Sequence, residues 1–303
     1  MSFPQINLVQ ASSVHWVKKW ILGARPRTLP AAVVPVLVGA AICNGSGGAH
    51  WGRAVLALIV SLLLQIGVNY ANDYSDGVRG TDEVRVGPMR LVASGLASPQ
   101  SVKAAAFMAF GAAAGIGLVL ALMTSLWVVP VGLAALLAGW FYTGGKNPYG
   151  YIGLGEVFVF VFFGLVATVG TTYVVLERIP AMSWLQGVAV GCLACALLVV
   201  NNLRDIPTDQ VVGKRTLAVR LGDARTRHLY LVLMVVGILC GVVATFSNSW
   251  SFILLLCFIP AMKPMNLVRR GVKGKGLIAV LAATGQVQIV FGLLSLFAFV
   301  LGR

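Results

Sequence analysis

Seven apolar stretches of this chain carry no Lys, Arg, Asp or Glu: residues 28–52, 54–72, 104–145, 157–176, 179–203, 229–262 and 276–302. A helix needs about 20 mostly apolar residues to cross the hydrocarbon core of a bilayer. A chain built from so many such stretches has no route to a single water-soluble core. Stretch 104–145 is long enough for two crossings and is interrupted at TSLWVVP (124–130), and 229–262 is interrupted at SNSW (247–250). The reading is an all-α polytopic membrane protein with nine transmembrane helices. Composition agrees: 58% of the 303 residues are hydrophobic and only 11% charged, against about 25% charged in soluble domains.

The formal net charge of +14 would suggest nucleic acid as the partner of a soluble protein, but its placement here follows a membrane instead. With the N-terminus cytoplasmic, 20 of the 23 basic residues fall in cytoplasmic segments, leaving only Arg53, Arg178 and Arg303 outside. That bias fits the positive-inside rule and predicts the N-terminus inside and the C-terminus outside. Nucleic acid is not an expected partner. The acids are equally lopsided: all but Glu177 lie on the cytoplasmic side. Acids have little influence on topology, so their clustering requires a chemical reason.

Residues 1–20 lack an uninterrupted apolar core and a small-residue cleavage pattern, so no signal peptide is expected. VHWVKKWILGARP instead reads as a short amphipathic helix lying at the cytoplasmic interface. The five cysteines all sit in apolar spans and read as buried thiols, and the three histidines are too scattered for a metal site.

An internal repeat is the sharpest signal. Val68-Asn69-x3-Asp73-x2-Asp76 is echoed by Val200-Asn201-x3-Asp205-x3-Asp209, with Asn201 lying 132 residues after Asn69. Each copy closes an apolar span and opens a basic loop. Four spans separate the copies, an even number, so the halves are parallel repeats and both acid clusters face one side of the membrane. The expected organisation is a single domain over 1–303: the interfacial helix at 1–24, repeat one at about 25–150, repeat two at about 151–275 and a ninth span at about 276–302, with cytoplasmic cap loops.

On a helix, Asn69 and Asp73, Asn72 and Asp76, and Asn201 and Asp205 are i,i+4 pairs, so each set shares a face. An aspartate at membrane depth costs about 2.5–3.5 kcal/mol on insertion scales, and crowded like charges repel further, so the clusters make sense with cations between them. Hard oxygen donors suit Mg²⁺, which commonly binds one or two carboxylates together with substrate phosphates. The expected metal ligands are Asp73, Asp76, Asp205 and Asp209, with Asn69 assisting. Pro207 between the last two aspartates predicts a helix bent or unwound at Asp205. The glycine-containing loops that follow bring Arg85 and Arg90, and Lys214 and Arg215, close behind the carboxylates, where they are candidates for a diphosphate. Arg220, Arg225 and Arg227 read as ordinary positive-inside charges.

N-x-x-N-D-x-x-D ending the second span, D-x-x-x-D ending the sixth, the nine spans and the parallel repeat together resemble the UbiA-type intramembrane prenyltransferases over roughly residues 20–300. RPRTLPAAVVPVLVGAA (25–41), NYANDYSDGVRGTD (69–82), RVGPMRLVASG (85–95), NPYGYIGLGE (147–156) and NNLRDIPTDQVVGKRTLAVRLG (201–222) are similar to the 1,4-dihydroxy-2-naphthoate prenyltransferases of menaquinone synthesis. Asp82 follows Asp76 by six residues, farther than the wider superfamily's first motif places its later acid.

The resemblance implies transfer of a polyprenyl chain from its diphosphate to 1,4-dihydroxy-2-naphthoate with loss of CO₂, giving demethylmenaquinone, with Mg²⁺, as two ions, in a bacterial cytoplasmic membrane. It also implies substrate contacts from Asn72, Asn201 and Asn202. Acceptors such as 4-hydroxybenzoate or homogentisate remain the alternatives within the superfamily. A CDP-alcohol phosphotransferase is disfavoured because Gly80-Thr81 replaces that family's Ala-Arg; a transporter is disfavoured because no span carries an acid near its middle.

An allylic cation needs an electron-rich wall, for which Trp140, Phe141 and Tyr142 are candidates; an interfacial aromatic belt is the competing reading of the first two. Lys146 follows Tyr142 at i+4 and is a candidate for the diphosphate or the acceptor's carboxylate. For Arg27 a phosphate contact competes with snorkelling. For Glu156 an acceptor proton competes with helix capping. Gly111, Gly115, Gly164 and Gly170 read as helix-packing positions. Lipid is an expected partner, and oligomeric state is open.

Overall fold

The computed structural model describes residues 16–81, 89–246 and 250–302, and all regular structure among them is helical. Helix α1 (Trp16–Ala24) meets α2 (Pro30–Ile42) at a corner made by a 3₁₀ turn over Pro26–Thr28. There follow α3 (Trp51–Val78), α4 (Pro99–Met123), α5 (Val128–Phe141), α6 (Gly155–Leu176), α7 (Ala181–Val211) and α8 (Leu217–Ala244). A 3₁₀ stretch (Ser251–Cys257) leads into α9 (Phe258–Arg269), and α10 (Gly276–Leu301) closes the chain.

Seven of these elements are long and apolar enough to cross a membrane, counting α9 with its lead-in as Phe252–Arg269, and α1 with α2, bent by 53°, makes an eighth if the pair is one span. The 14-residue α5 is apolar but shorter, about 21 Å at 1.5 Å per residue. The protein is therefore multi-pass. The expected breaks fall where the sequence places them, between Met123 and Val128 and after Ala244. In the first span only Pro30–Ile42 is helical, because the Gly-rich segment after Cys43 turns instead, with Gly45 and Gly48 at positive φ.

The N-terminal segment forms the expected helix from Trp16. Its end is turned by Arg25, held at φ 53°, and by Pro26 and Pro30 at the first positions of the elements that follow. Thr28 Oγ1 closes the corner by donating to the Arg25 carbonyl at 2.9 Å.

Two apolar clusters organise the interior. One, around Tyr70, Leu91 and Phe110, joins α1, α3, α4 and α5; the larger, around Leu193, Tyr230, Met234 and Phe291, joins α2 and α7–α10. α7 is the central post: 72% of its apolar segment is buried, against 28–39% in the other long helices. Its crossing with α6 depends on glycine. A Cβ at Gly164 would stand 2.5 Å from the Gly191 Cα and 2.7 Å from the Gly187 carbonyl oxygen, and α6 widens into a π-helix over Phe160–Val166 at that point. Gly111, Gly115 and Gly170 have open space where a Cβ would go. The packing role expected for them is corrected: these positions face away from neighbouring helices.

The bundle has two chemically distinct ends. At one, Arg53 at the start of α3 pairs with Glu177 after α6 at 2.5 Å. At the other, the C-termini of α3, α5 and α7 and the N-terminus of α6 meet through the polar contacts described next.

Candidate active site

The last turns of α3 are buried although they are polar: Asn69, Asn72, Asp73 and Asp76 are each at most 9% exposed. Asp73 Oδ2 accepts the Leu91 N–H at 2.9 Å and its Oδ1 the Val92 N–H at 3.0 Å, so this carboxylate anchors the chain returning towards α4. Asn72 Oδ1 accepts from the Thr143 hydroxyl at 2.8 Å, tying α3 to the end of α5. Asn69 Nδ2 donates to the Ala24 carbonyl and to Thr28 Oγ1, each at 2.9 Å, and its Oδ1 accepts from Gln65 Nε2 at 3.3 Å. The structure thus sets Asn69 in the α1–α2 corner and Asp73 on the backbone of the following loop.

Asp76 is the hub. Its Oδ1 accepts from the Tyr151 hydroxyl at 2.5 Å and from Lys214 Nζ at 3.1 Å, while Oδ2 lies 3.7 Å from Arg90 Nη2. Tyr151 carries cations on its ring as well, with Lys214 Nζ 4.5 Å and Arg79 Cζ 5.4 Å from the centroid. Arg79 in turn donates to the carbonyls of Thr143 and Gly145, fastening α3 to the loop after α5. Burial, and after it the Asp76 charge, raises the Tyr151 phenol above its ordinary pKa, so its hydroxyl remains a donor. Burial by itself would pull the Lys214 ammonium down, but Asp76, Tyr151 and Asp209 outweigh it and the net shift is upward. The part of the stability that depends on Lys214 being charged is therefore complete below the ordinary lysine pKa and is lost only as pH rises through the raised value.

In the second cluster, Asp205 is held by its neighbour: Arg204 Nε and Nη2 donate to its two oxygens at 2.7 Å each, and Nη2 also reaches Asn201 Oδ1 at 2.9 Å. Asn202 Nδ2 donates to Glu156 Oε1 at 2.9 Å. The unwinding expected at Pro207 does not occur: α7 runs unbroken to Val211. One missing backbone donor is outweighed where the preceding turn is buried from Asn202 to Asp205 and the Thr208 hydroxyl bonds back to the Asp205 carbonyl at 2.9 Å. Beyond the helix, the Asp209 carbonyl accepts the Lys214 N–H and the Tyr151 carbonyl accepts the Arg215 N–H, each at 2.8 Å. These bonds lay the loop after α7 against the segment before α6 and aim Lys214 at Asp76.

The two repeats therefore converge, through a bond between residues 138 positions apart. Tyr142 joins them: Glu156, Asp76 and Asp209 all act electrostatically on its hydroxyl, and its ring meets Tyr149 edge-on at 5.5 Å. Trp140 turns the other way, against Phe107 at 4.8 Å, and Phe141 is exposed. Lys146, Arg215 and Arg27 have exposed side chains, so the structure does not gather them with the buried set. Arg85 and Asp82 lie outside the described residues. Sequence reasoning missed Tyr151, Arg79, Thr143 and Arg204. Tyr151 stands within NPYGYIGLGE, and Arg204 adjoins a candidate ligand, but only the folded path of the loops gives either its role.

Magnesium suits this donor set. It takes hard oxygens and commonly leaves part of its shell to substrate phosphates. Asp76 supplies such oxygens beside the Lys214 ammonium, and Asp209 acts on the same ammonium electrostatically. Among the described residues no three His, Cys, Asp or Glu side chains form a ready-made metal cage.

Apolar helices that gather carboxylates, amides and a buried lysine at one end define a polytopic membrane protein with a buried polar site where its helices converge. The chain belongs to the UbiA prenyltransferase family, whose profile matches residues 32–275. It is 50% identical over 91% of its length to a Mycobacterium tuberculosis protein named 1,4-dihydroxy-2-naphthoate octaprenyltransferase, covering 94% of that protein. It is 35% identical to the Escherichia coli protein of the same name, over 100% of this chain and 97% of the other. Among solved structures it resembles an apo UbiA homolog from Aeropyrum pernix (TM-score 0.71, 14% identity, covering 89% of this chain and 97% of that one). It also resembles a UbiA homolog from Archaeoglobus fulgidus bound to DMAPP and Mg²⁺ (TM-score 0.66, 17% identity, covering 93% and 99%).

Proposed function

We propose that this protein transfers a polyprenyl chain from polyprenyl diphosphate to 1,4-dihydroxy-2-naphthoate, releasing diphosphate and CO₂ and forming demethylmenaquinone. The observation that carries the reading is the junction at Lys214, where a buried ammonium from the second repeat bonds to Asp76 of the first at 3.1 Å and is also acted on by the charge of Asp209. The acceptor rests on the names of relatives as much as 50% identical over nearly the whole chain.

Magnesium, as two ions, supplies Lewis-acid neutralisation of the leaving diphosphate when bound. Asp76 and Asp209 hold it, with Asp73 and Asp205 completing the acid set, and Asn69 contributes by fixing the α3 end. Lys214 and Arg90 add fixed positive charge where negative charge develops; Arg85, Arg215, Lys146 and Arg27 guide the diphosphate from the cytoplasmic side. Asn72, Asn201 and Asn202 orient groups around it, and the Tyr142 face shields the allylic cation from water. The protein is a single domain of two parallel four-helix repeats, about 25–150 and 151–275, plus a last helix. It has nine transmembrane helices in all, counting α5, with the N-terminus inside a bacterial cytoplasmic membrane and the C-terminus outside.

The test is to incubate purified protein with Mg²⁺, farnesyl diphosphate or a longer polyprenyl diphosphate, and 1,4-dihydroxy-2-naphthoate. The expected result is a prenylated naphthoquinol with CO₂, abolished by EDTA and restored by Mg²⁺. Product from 4-hydroxybenzoate or homogentisate but none from the naphthoate overturns the acceptor assignment.

A further inference from the structure

Glu156 opens α6 with its carboxyl group almost sealed from solvent, the residue being 7% exposed. Oε1 accepts from Asn202, and among the described residues Oε2 has no hydrogen-bond partner. Its own backbone N–H faces the group, and among the described residues no Lys or Arg is one of the groups acting on it. A buried carboxylate oxygen left unpaired is costly and calls for a donor.

The surroundings indicate which donor fits. Asn202 belongs to the same α7 turn as Asn201 and Asp205, so Glu156 is held beside the second acid cluster. Tyr142 lies over the start of α6: a Cβ at Gly155 would stand 3.3 Å from its ring and 3.6 Å from its hydroxyl. Glu156 thus stands with an amide on Oε1 and an aromatic side chain over the preceding residue, surroundings suited to a flat hydroxyaryl ring, whereas the cations gather around Asp76.

We propose that Glu156 is a catalytic residue of an acceptor subsite, where Oε2 receives the proton of the ring hydroxyl next to the acceptor's carboxylate once the ring displaces Tyr142. The step rests on the acceptor proposed above. As the carboxylate-bearing ring carbon bonds to the prenyl C1, the C1–O bond breaks and its electron pair leaves with the diphosphate. The hydroxyl proton passes to Oε2, and that ring oxygen becomes a ketone. The product of this step is a β-keto carboxylate. When its C–CO₂ bond breaks, the electron pair forms the enolate, and Glu156 returns the proton to the same oxygen. The carboxyl group ends as it began.

The experiment compares wild type, Glu156→Gln and Glu156→Asp with Mg²⁺, farnesyl diphosphate and the naphthoate. General acid–base roles contribute about 10²–10⁴-fold, so Glu156→Gln is expected to lower kcat at least about 100-fold. Its thermal stabilisation by Mg²⁺ with farnesyl diphosphate should be kept, and Glu156→Asp should recover part of the rate. A smaller loss, or loss of the thermal stabilisation in a folded variant, overturns the role. A second arm needs no variant: the wild type should prenylate the 4-methoxy ether of the acceptor and leave the 1-methoxy ether unreacted. Product from the 1-methoxy ether overturns the proposal. A wild type inactive on the unmodified naphthoate overturns the acceptor reading and this step with it, an outcome distinct from failure confined to the variants or the 1-methoxy ether.

Discussion

Asn69 and Asp73 in the first repeat correspond to Asn201 and Asp205 in the second, yet the two pairs hold different things. The first pair grips backbone: Asn69 the carbonyl of Ala24, and Asp73 the amides of Leu91 and Val92. The second pair grips one side chain, the guanidinium of Arg204. The same spacing therefore makes a joint between chain segments in one half and a local charge clamp in the other. The lesson is that a repeat in sequence preserves where polar atoms sit, whereas the loops that arrive there decide what they do.

The largest effect comes from cutting both pairs at the acid. Asp73→Asn and Asp205→Asn should each reduce turnover at least about 100-fold, measured as prenylated product. Their thermal unfolding in detergent should differ. Asp205→Asn leaves the buried Arg204 without its counter-charge, a loss of about 3–5 kcal/mol, whereas Asp73→Asn keeps one oxygen to accept an amide and loses one charge-assisted bond, about 1.5–3 kcal/mol. Adding Arg204→Met to Asp205→Asn should restore stability without restoring turnover. Equal destabilisation of the two single variants would erase the distinction between joint and clamp.

Tyr151→Phe removes the hydroxyl on Asp76 while leaving the ring for Lys214 and Arg79. Turnover should fall about tenfold, in line with loss of a hydrogen bond to a charged group, and a rate equal to wild type would show that Lys214 alone holds the hub. The halves also differ in packing. Gly164→Ala should destabilise by about 1–3 kcal/mol through overpacking against α7, whereas Gly111→Ala on α4 should stabilise slightly, by about 0.5–1 kcal/mol at most. The smallest effect is expected at the exposed Lys146: Lys146→Ala should change kcat less than about threefold, and a large loss would mean that substrate draws this side chain inward.

Much of the fold was legible because bilayer physics is written in runs of apolar residues, and the breaks after Met123 and Ala244 follow from them directly, while the helix from Trp16 follows from an amphipathic pattern. The acid clusters were legible from spacing, since i,i+4 pairs share a helix face whatever surrounds them. What stayed hidden depends on chain path. Tyr151 reaches Asp76 across 75 positions, a pairing no local pattern encodes. Arg204 reads as a loop charge, because neighbours on a helix point apart, until its long side chain is seen folding back on Asp205. Pro207 carries a strong local signal for a break, and the burial of the turn before it prevails.

Lys214 bonds to a carboxylate made 138 residues before it. At 5–20 residues per second of synthesis, the end of α3 exists for roughly 7–30 s before its ammonium partner has been made. Asp205 needs no such wait, since Arg204 precedes it by one residue. During biogenesis the first cluster must therefore stay near the membrane surface, hydrated, until the second half of the protein is inserted. The assembled site is thus also a checkpoint: closing the bond to Lys214 requires that both halves have entered the membrane in the same orientation.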